Sequence, residues 1–329
     1  MPAAQDQTTV AVQLSEVEAA AERIRALARR TPLMTSRLFD EASGVQAFFK
    51  CENLQRGGSF KMRGASNFLA SLDEAQRLRG VVTVSSGNHA QAVAIAAAHF
   101  GVSATILMPS DAPKSKLAST RAYGPKIVSF DRQRDNRDAL AQRVASETGA
   151  VLLPPYDHPW IIAGQGTAAL ELLEDQPELD ALVVPLGGGG LLSGTLVAAK
   201  ARRPSLRVFG VEPELANDWY RSLDSGQRIE ISPPATLADG LRTTIPGLVT
   251  FPIVSALVDG VYLVTEQEIK HTLRFLLTRT KQLIEPSGAV AAAAVLHHKL
   301  PADVQRIGIV LSGGNVDLDV LAAICTEAA

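Results

Sequence analysis

Hydrophobic and polar positions along this chain alternate between two registers. Short runs rich in Val, Ile, Leu and Phe occupy residues 81–85, 104–108, 126–130, 151–153, 181–185, 207–212 and 306–311. Several, such as ALVVP and RIGIVLS, are apolar on both faces, which predicts buried strands of a parallel sheet. Between most of them lie amphipathic or Ala-rich segments of helical length, at 90–100, 115–123, 136–148, 167–174 and 191–202. Gly101, Gly124 and Gly149 close three of these segments and predict left-handed C-caps. Strands alternating with helices mean crossover connections, so the expected fold class is α/β with largely parallel sheets. Two lobes, each a twisted sheet flanked by helices, fit the number of strands better than one very wide sheet.

A further helix is predicted from about Ser15, with Ser15 and Glu18 as a capping box and Val17, Ile24 and Leu27 as its apolar stripe. It should end at Thr31-Pro32, because the residue before proline leaves the helical region. Thr265 and Glu268 form a second capping box, opening a helix that carries Ile269, Leu273 and Leu276. Residues 229–236, with Pro233-Pro234, predict a surface loop.

Composition then removes whole classes of function. The 329 residues are 46% hydrophobic and 20% charged, ample for a packed core and contrary to global disorder. Lys and Arg number 32 against 34 Asp and Glu, a net charge of −2 that leaves no footprint for nucleic acid or a membrane surface. Cys51 and Cys325 cannot build a disulfide framework, and neither has a Cys or His at metal-ligand spacing. The first residues lack the features of a signal peptide, and no apolar stretch reaches the roughly 18 residues of a membrane span. The expectation is a soluble cytoplasmic protein.

In α/β folds ligands bind at the carboxyl ends of the strands, which directs attention to three turns. Ser86-Gly87-Asn88-His89 follows the run at 81–85, and Ser312-Gly313-Gly314-Asn315 follows that at 306–311. After 181–185 comes Leu186 and then Gly187, Gly188, Gly189 and Gly190. Consecutive glycines at a helix N-terminus expose backbone N–H groups that hold a phosphate without any side chain. The alternative is a tight turn packing a helix onto the sheet, for which one or two glycines suffice. A dinucleotide fingerprint fails on spacing, although Glu212 ends a strand where a ribose-binding acid would sit. G-x-G-x-x-G from Gly187 or Gly188 meets Leu192 or Ser193 in its last place. No G-x-x-x-x-G-K-[ST] loop occurs, so the cradle suits a smaller phosphate.

Upstream, Gly57-Gly58-Ser59-Phe60-Lys61-Met62-Arg63-Gly64-Ala65 puts a lysine at the start of a helix carrying Phe68 and Leu69. A helix N-terminus disfavours a positive charge, and a lysine kept neutral is a nucleophile and Schiff-base former. In these four segments the chain resembles the fold-type II pyridoxal-phosphate enzymes, with an architecture like that of the tryptophan synthase β subunit. Within them it is similar to the serine/threonine dehydratase and serine racemase group, from about Ser15 to Leu321.

The resemblance implies pyridoxal 5′-phosphate (PLP) carried as a Schiff base on Lys61, with Phe60 beside it and Gly187, Gly188, Gly189, Gly190 and Leu191 around the phosphate. Asn88 would meet the ring hydroxyl and Ser312 the pyridine nitrogen. Glu285 matches a cofactor-adjacent acid, or else caps the helix containing residues 289–294. Ser85, Ser86, Gly87, Asn88 and His89 become the loop that holds the substrate carboxylate; for His89 the backbone N–H is the working part. Arg137 falls where racemase-like members place an arginine near the substrate, or lies on an exposed helix face with Arg132, Arg134 and Arg143. GVEPELAND is similar to the family's divalent-cation segment, implying Glu212, the Ala216 carbonyl and Asp218 as hard oxygen ligands for Mg²⁺ or Ca²⁺. Without the resemblance it reads as a solvated acidic loop. The implied organisation is a large cofactor-binding domain of residues 1–75 and 158–329, a small substrate-loop domain of residues 76–157, and a homodimer.

The reaction so implied is dehydration of L-serine or L-threonine to pyruvate or 2-oxobutanoate and ammonia. The freed Lys61 amine removes the Cα proton and the β-hydroxyl leaves as water. A hydroxyl at Ser312 cannot hold the ring nitrogen protonated, so the electron sink is weak, which favours β-elimination over transamination. Ser86 stands where simple threonine dehydratases often carry alanine and racemase-like or 3-hydroxyaspartate dehydratase members carry serine. It either reprotonates Cα on the face opposite Lys61 or binds the carboxylate, so serine racemase or threo-3-hydroxyaspartate ammonia-lyase activity is the alternative. His297 and His298 are adjacent on a helix and cannot share a face for zinc, while His99, His158 and His271 have no local partners.

Overall fold

The computed structural model describes residues 11–112, 114–131 and 134–326; the opening residues and Arg132 lie outside them. Among the described residues ten strands form two sheets. They are β1 (Leu33–Met34), β2 (Gln46–Cys51), β3 (Val81–Val84), β4 (Ala104–Pro109), β5 (Lys126–Phe130), β6 (Val151–Leu152), β7 (Ala181–Pro185), β8 (Arg207–Pro213), β9 (Gly260–Val264) and β10 (Arg306–Leu311). The larger sheet runs β1-β2-β10-β7-β8-β9, parallel except for β1. The smaller runs β5-β4-β3-β6 and is wholly parallel. The α/β expectation holds, and the seven anticipated strands are present; β1, β2 and β9 were not anticipated.

Burial on both faces explains the doubly apolar runs. Ala181 and Val183 of β7 face one core layer, with Phe49, Phe209 and the Ala-rich helix Pro286–Leu296. Leu182 and Val184 face the other, with Leu192, Leu196 and Val208. Alternate residues of one strand therefore feed two cores, and neither face tolerates a polar side chain.

Three helices set the geometry of the site. Lys61–Ala70, Pro159–Asp175 and Gly190–Arg202 touch backbone to backbone. A Cβ on Gly164 would stand 2.7 Å from the Arg63 carbonyl, and one on Gly194 would stand 2.3 Å from that of Ile162. The lysine helix and the helix that follows the four glycines are thus locked against one intermediary.

Gly101, Gly124 and Gly149 take positive φ as expected, and the Thr265–Glu268 capping box forms, with N–H donations of 3.2 and 2.8 Å. The first helix departs from expectation. It spans Leu14–Ile24, and its box uses Gln13 and Glu16, whose carboxylate accepts from the Gln13 N–H at 2.7 Å. Glu18 is taken instead by Arg202, 2.5 Å away. The helix ends at Ile24, short of Thr31-Pro32. His271 also gains a partner, its Nδ1 lying 3.2 Å from Nε2 of His297. No helix among the described residues is long and apolar enough to cross a membrane.

Candidate active site

The loop before Lys61 is zipped onto the loop after β10. Ser59 bridges Gly313, the Phe60 N–H donates to the Ser312 carbonyl at 3.0 Å, and the Gly314 N–H donates to that of Gly58 at 2.9 Å. Asn315 Nδ2 donates to the Gly57 carbonyl (2.7 Å) and to Asn88 Oδ1 (2.9 Å). Asn88 in turn donates from Nδ2 to Glu285 Oε1 at 2.7 Å. Residues 57–60, 88, 285 and 312–315 thereby meet in one hydrogen-bonded cluster.

Lys61 opens its helix with Nζ 2.7 Å from the Pro155 carbonyl and 5.1 Å from the Phe60 ring centroid. Burial lowers its pKa to about 8, against a smaller opposing pull from Glu285. The amine is therefore neutral in a large fraction of molecules at mildly alkaline pH, as a nucleophile toward an aldehyde must be.

The four glycines lie between β7 and helix Gly190–Arg202, with Gly189 at φ 88°. Their carbonyls are pinned: Trp219 Nε1 donates to Gly187 O at 2.5 Å and Thr250 Oγ1 to Gly188 O at 3.0 Å. The four glycine N–H groups have no acceptor among the described residues. A side chain is excluded in the middle of the run, since a Cβ on Gly188 would stand 2.2 Å from the Tyr156 ring and one on Gly189 2.4 Å from the Trp219 indole. Unpartnered N–H groups at a helix N-terminus, on a run of glycines, fit a phosphate ester. A nearby amine of depressed pKa fits the aldehyde of the same small molecule.

At the carboxyl ends of β3, β4 and β5 lies a cleft of about 190 Å³, lined by Val84, Ser85, Ser86, Pro109, Phe130, Asp135 and Arg137. Arg137, exposed at the start of helix Arg137–Thr148, thus shares a cavity with the serine pair. Ser85 Oγ accepts from the Gly87 N–H at 3.2 Å and shapes the turn. His89 is turned away and buried, its Nε2 3.1 Å from Thr83 Oγ1. Burial and the Lys61 charge hold its pKa down to about 3, which favours the neutral imidazole.

Behind the cradle, Glu212 and Asp218 are fully buried and Ala216 nearly so, which excludes the solvated-loop reading. Glu212 accepts from the N–H groups of Trp219 (3.1 Å) and Tyr220 (2.9 Å), and its carboxyl is pushed well up by burial and by Asp218. Burial raises Asp218 to about 7. Two buried carboxylates held up in this way are a fitting donor pair for a divalent cation, though no cluster of three or more His, Cys, Asp or Glu occurs among the described residues. Trp219 joins this pair to the glycines, with its N–H on Glu212 and its indole on Gly187. Leu191 belongs to the apolar core, so only its backbone faces the cradle turn.

Pro155, Tyr156, Trp219 and Thr250 escaped the sequence reading. Pro155 and Tyr156 follow β6 and could have been found by applying the strand-end rule to every strand. Trp219 and Thr250 carry no local signal.

Comparison with known proteins shows the family. Residues 24–313 match the family described as pyridoxal-phosphate dependent enzyme. The L-threo-3-hydroxyaspartate ammonia-lyase of Pseudomonas sp is 48% identical over 94% of this chain and 97% of its own. The serine racemase of Schizosaccharomyces pombe is 46% identical over 92% and 94%. The crystal structure of serine racemase from Dictyostelium discoideum superimposes with a TM-score of 0.89 at 44% identity, covering 94% and 100%. With a lysine, a glycine cradle and the strand-end loops in one fold of this kind, the chain belongs to the pyridoxal-phosphate dependent enzymes of fold type II.

Proposed function

We propose that this protein is a PLP-dependent ammonia-lyase that dehydrates β-hydroxy-α-amino acids, L-serine and L-threonine among them. The observation that carries the reading is the Lys61 amine, its pKa near 8, bonded to the carbonyl of Pro155, whose neighbour Tyr156 packs on the glycine run. Lys61 would hold the cofactor carbon, the glycines with the Leu191 backbone its phosphate, and Asn88, Glu285 and Ser312 its ring. When bound, the cofactor supplies an electron sink for the bond-breaking at Cα. Lys61 Nζ takes the Cα proton, and the Pro155 carbonyl accepts a hydrogen bond from the ammonium that results. The Ser85–His89 loop binds the substrate carboxylate, and Glu212, Asp218 and the Ala216 carbonyl take a divalent cation.

Arg137 supports a second reading. A guanidinium in the cleft beside Ser85 and Ser86 matches a second carboxylate on Cβ, which favours threo-3-hydroxyaspartate over serine or threonine. The Ser86 hydroxyl in that cleft also suits return of a proton to Cα, the step that would give racemisation.

Cofactor uptake and a substrate panel test both readings. For stripped enzyme, the rate of PLP capture should rise about tenfold per pH unit below about 8 and level off above it, because only the neutral amine attacks. A rate still climbing at pH 10 would show an ordinary exposed lysine. Lys61→Ala should lose the visible absorption band and all turnover. Arg137→Ala should depress keto-acid formation from 3-hydroxyaspartate more than from serine; equal losses would count against the dicarboxylate reading.

A further inference from the structure

Helix Thr250–Leu257 has no cap of its own, because Val249 occupies the N-cap position and offers no side-chain acceptor. Its first N–H groups are satisfied from elsewhere in the chain. Asp157 Oδ2 accepts from the Leu248 N–H at 2.7 Å, and Oδ1 accepts from those of Val249 and Thr250 at 2.8 and 3.1 Å. Three bonds to one carboxylate, made across 91 to 93 residues of sequence, tie this helix start to the segment that follows β6.

The residues on either side show what the contact holds. Two positions before Asp157, the Pro155 carbonyl accepts from Lys61 Nζ. Between them, Tyr156 lies against the cradle, touching the sites where Gly188 and Gly190 would carry a Cβ. On the far side of the carboxylate, Thr250 donates its hydroxyl to the Gly188 carbonyl at 3.0 Å. The contacts close a ring of Tyr156, Asp157, the helix start, Thr250 and the glycines, and Lys61 joins it through the Pro155 carbonyl. Pro154 and Pro155 stiffen the chain that leads into it. The Asp157 carboxylate is the link that joins its two halves.

We propose that Asp157 is a positioning residue that keeps the Lys61 acceptor and the glycine cradle in register for the cofactor, through the start of helix Thr250–Leu257. The inference rests on the reading of Lys61 and the glycines as the PLP site. Asp157 itself touches neither. Gly247 offers an independent way to break the same link, since a Cβ there would stand 2.3 Å from Asp157 Oδ1 and 2.5 Å from Thr250 Oγ1.

The test measures PLP dissociation constants by absorbance titration of stripped full-length enzyme, and the pH midpoint of PLP capture, in wild type, Asp157→Ala, Asp157→Asn and Gly247→Ala. Thr265→Ala serves as the control, because it removes the side-chain cap of helix Glu266–Phe275 by ordinary loss of stability. Asp157→Ala and Gly247→Ala should each weaken PLP binding by about tenfold or more, as loss of an orienting outer contact does elsewhere. Both should shift the capture midpoint below about 8, because the ammonium loses a well-placed acceptor. Asp157→Asn keeps one acceptor oxygen and should fall between them and wild type. If Asp157→Ala does not fold, Gly247→Ala and Asp157→Asn carry the comparison. If these variants lower the melting temperature as Thr265→Ala does, yet keep the wild-type PLP affinity and midpoint, Asp157 is a structural cap and the proposal fails. Failure of the PLP reading looks different: wild type itself then gives no PLP band, or Lys61→Ala binds PLP as tightly.

Discussion

Arg63, two residues beyond Lys61, uses its guanidinium fork twice. Nε and Nη2 donate to the two Glu52 oxygens at 2.8 Å each, and Nη1 and Nη2 donate to those of Glu171 at 2.7 Å. Arg63 and Glu52 are almost wholly buried, and Arg63 draws the Glu52 pKa down against the penalty of burial. Lys50, also buried, adds a bond of 2.5 Å to Glu171. Breaking a buried pair by removing one partner leaves an uncompensated charge, which costs about 3–5 kcal/mol. Arg63→Met should therefore lower the unfolding free energy from urea titration by that order, and Arg63→Lys by less, since an ammonium returns the charge without the fork. A loss below about 1 kcal/mol for Arg63→Met would mean that the network relaxes around the gap. None of this network was legible in the sequence. Glu52, Arg63 and Glu171 have no local pattern, and a lysine in a strand reads as exposed.

The elements divide along the same physical line. Strands buried on both faces announced themselves, because most positions in them are apolar, as in the wholly apolar β7. β2 did not: Gln46-Ala47-Phe48-Phe49-Lys50-Cys51 carries a lysine whose partner lies 121 residues away. β9 is only half-buried at the edge of its sheet, so its Gly260-Val261-Tyr262-Leu263-Val264 run blurs into its surroundings. The glycine turn was legible as a turn and as an anion cradle, but not the reason that Gly188 must be glycine, which is the Tyr156 ring. Gly188→Ala should displace that ring or be displaced by it, and weaken PLP binding by about tenfold or more, or ~1.4 kcal/mol. An unchanged dissociation constant would mean that Tyr156 swings clear without moving the cradle.

At the scale of the molecule, adjacent parallel strands deliver the loops after β7 and β10 to one end of the larger sheet, so two of the four motifs could be placed together from strand order alone. The loop after β3 comes from the smaller sheet and joins them through Asn88, bonded to Glu285 and Asn315. The acidic pair acts on that region from behind. Because burial raises the Asp218 pKa to about 7, the folded state holds more protons there than the unfolded chain between pH 4 and 7. The contribution of this group to stability falls as pH rises through that window and is flat above it. A bound divalent cation reverses the sign, since it needs both carboxylates ionised. Added Mg²⁺ or Ca²⁺ should therefore raise the melting temperature at pH 8, by the equivalent of ~2.7 kcal/mol at a hundredfold excess over its dissociation constant. Asp218→Asn should abolish the response to cation while leaving the metal-free protein at least as stable as wild type at pH 8, because one buried charge is gone. Trp219 adds a local readout. Its N–H rests on Glu212 and its indole on Gly187, so cation binding should change Trp219 fluorescence in wild type and not in Asp218→Asn. A chelator that alters neither melting nor fluorescence, with cation equally inert, would leave Glu212 and Asp218 as a proton-sharing pair that only buttresses the cradle.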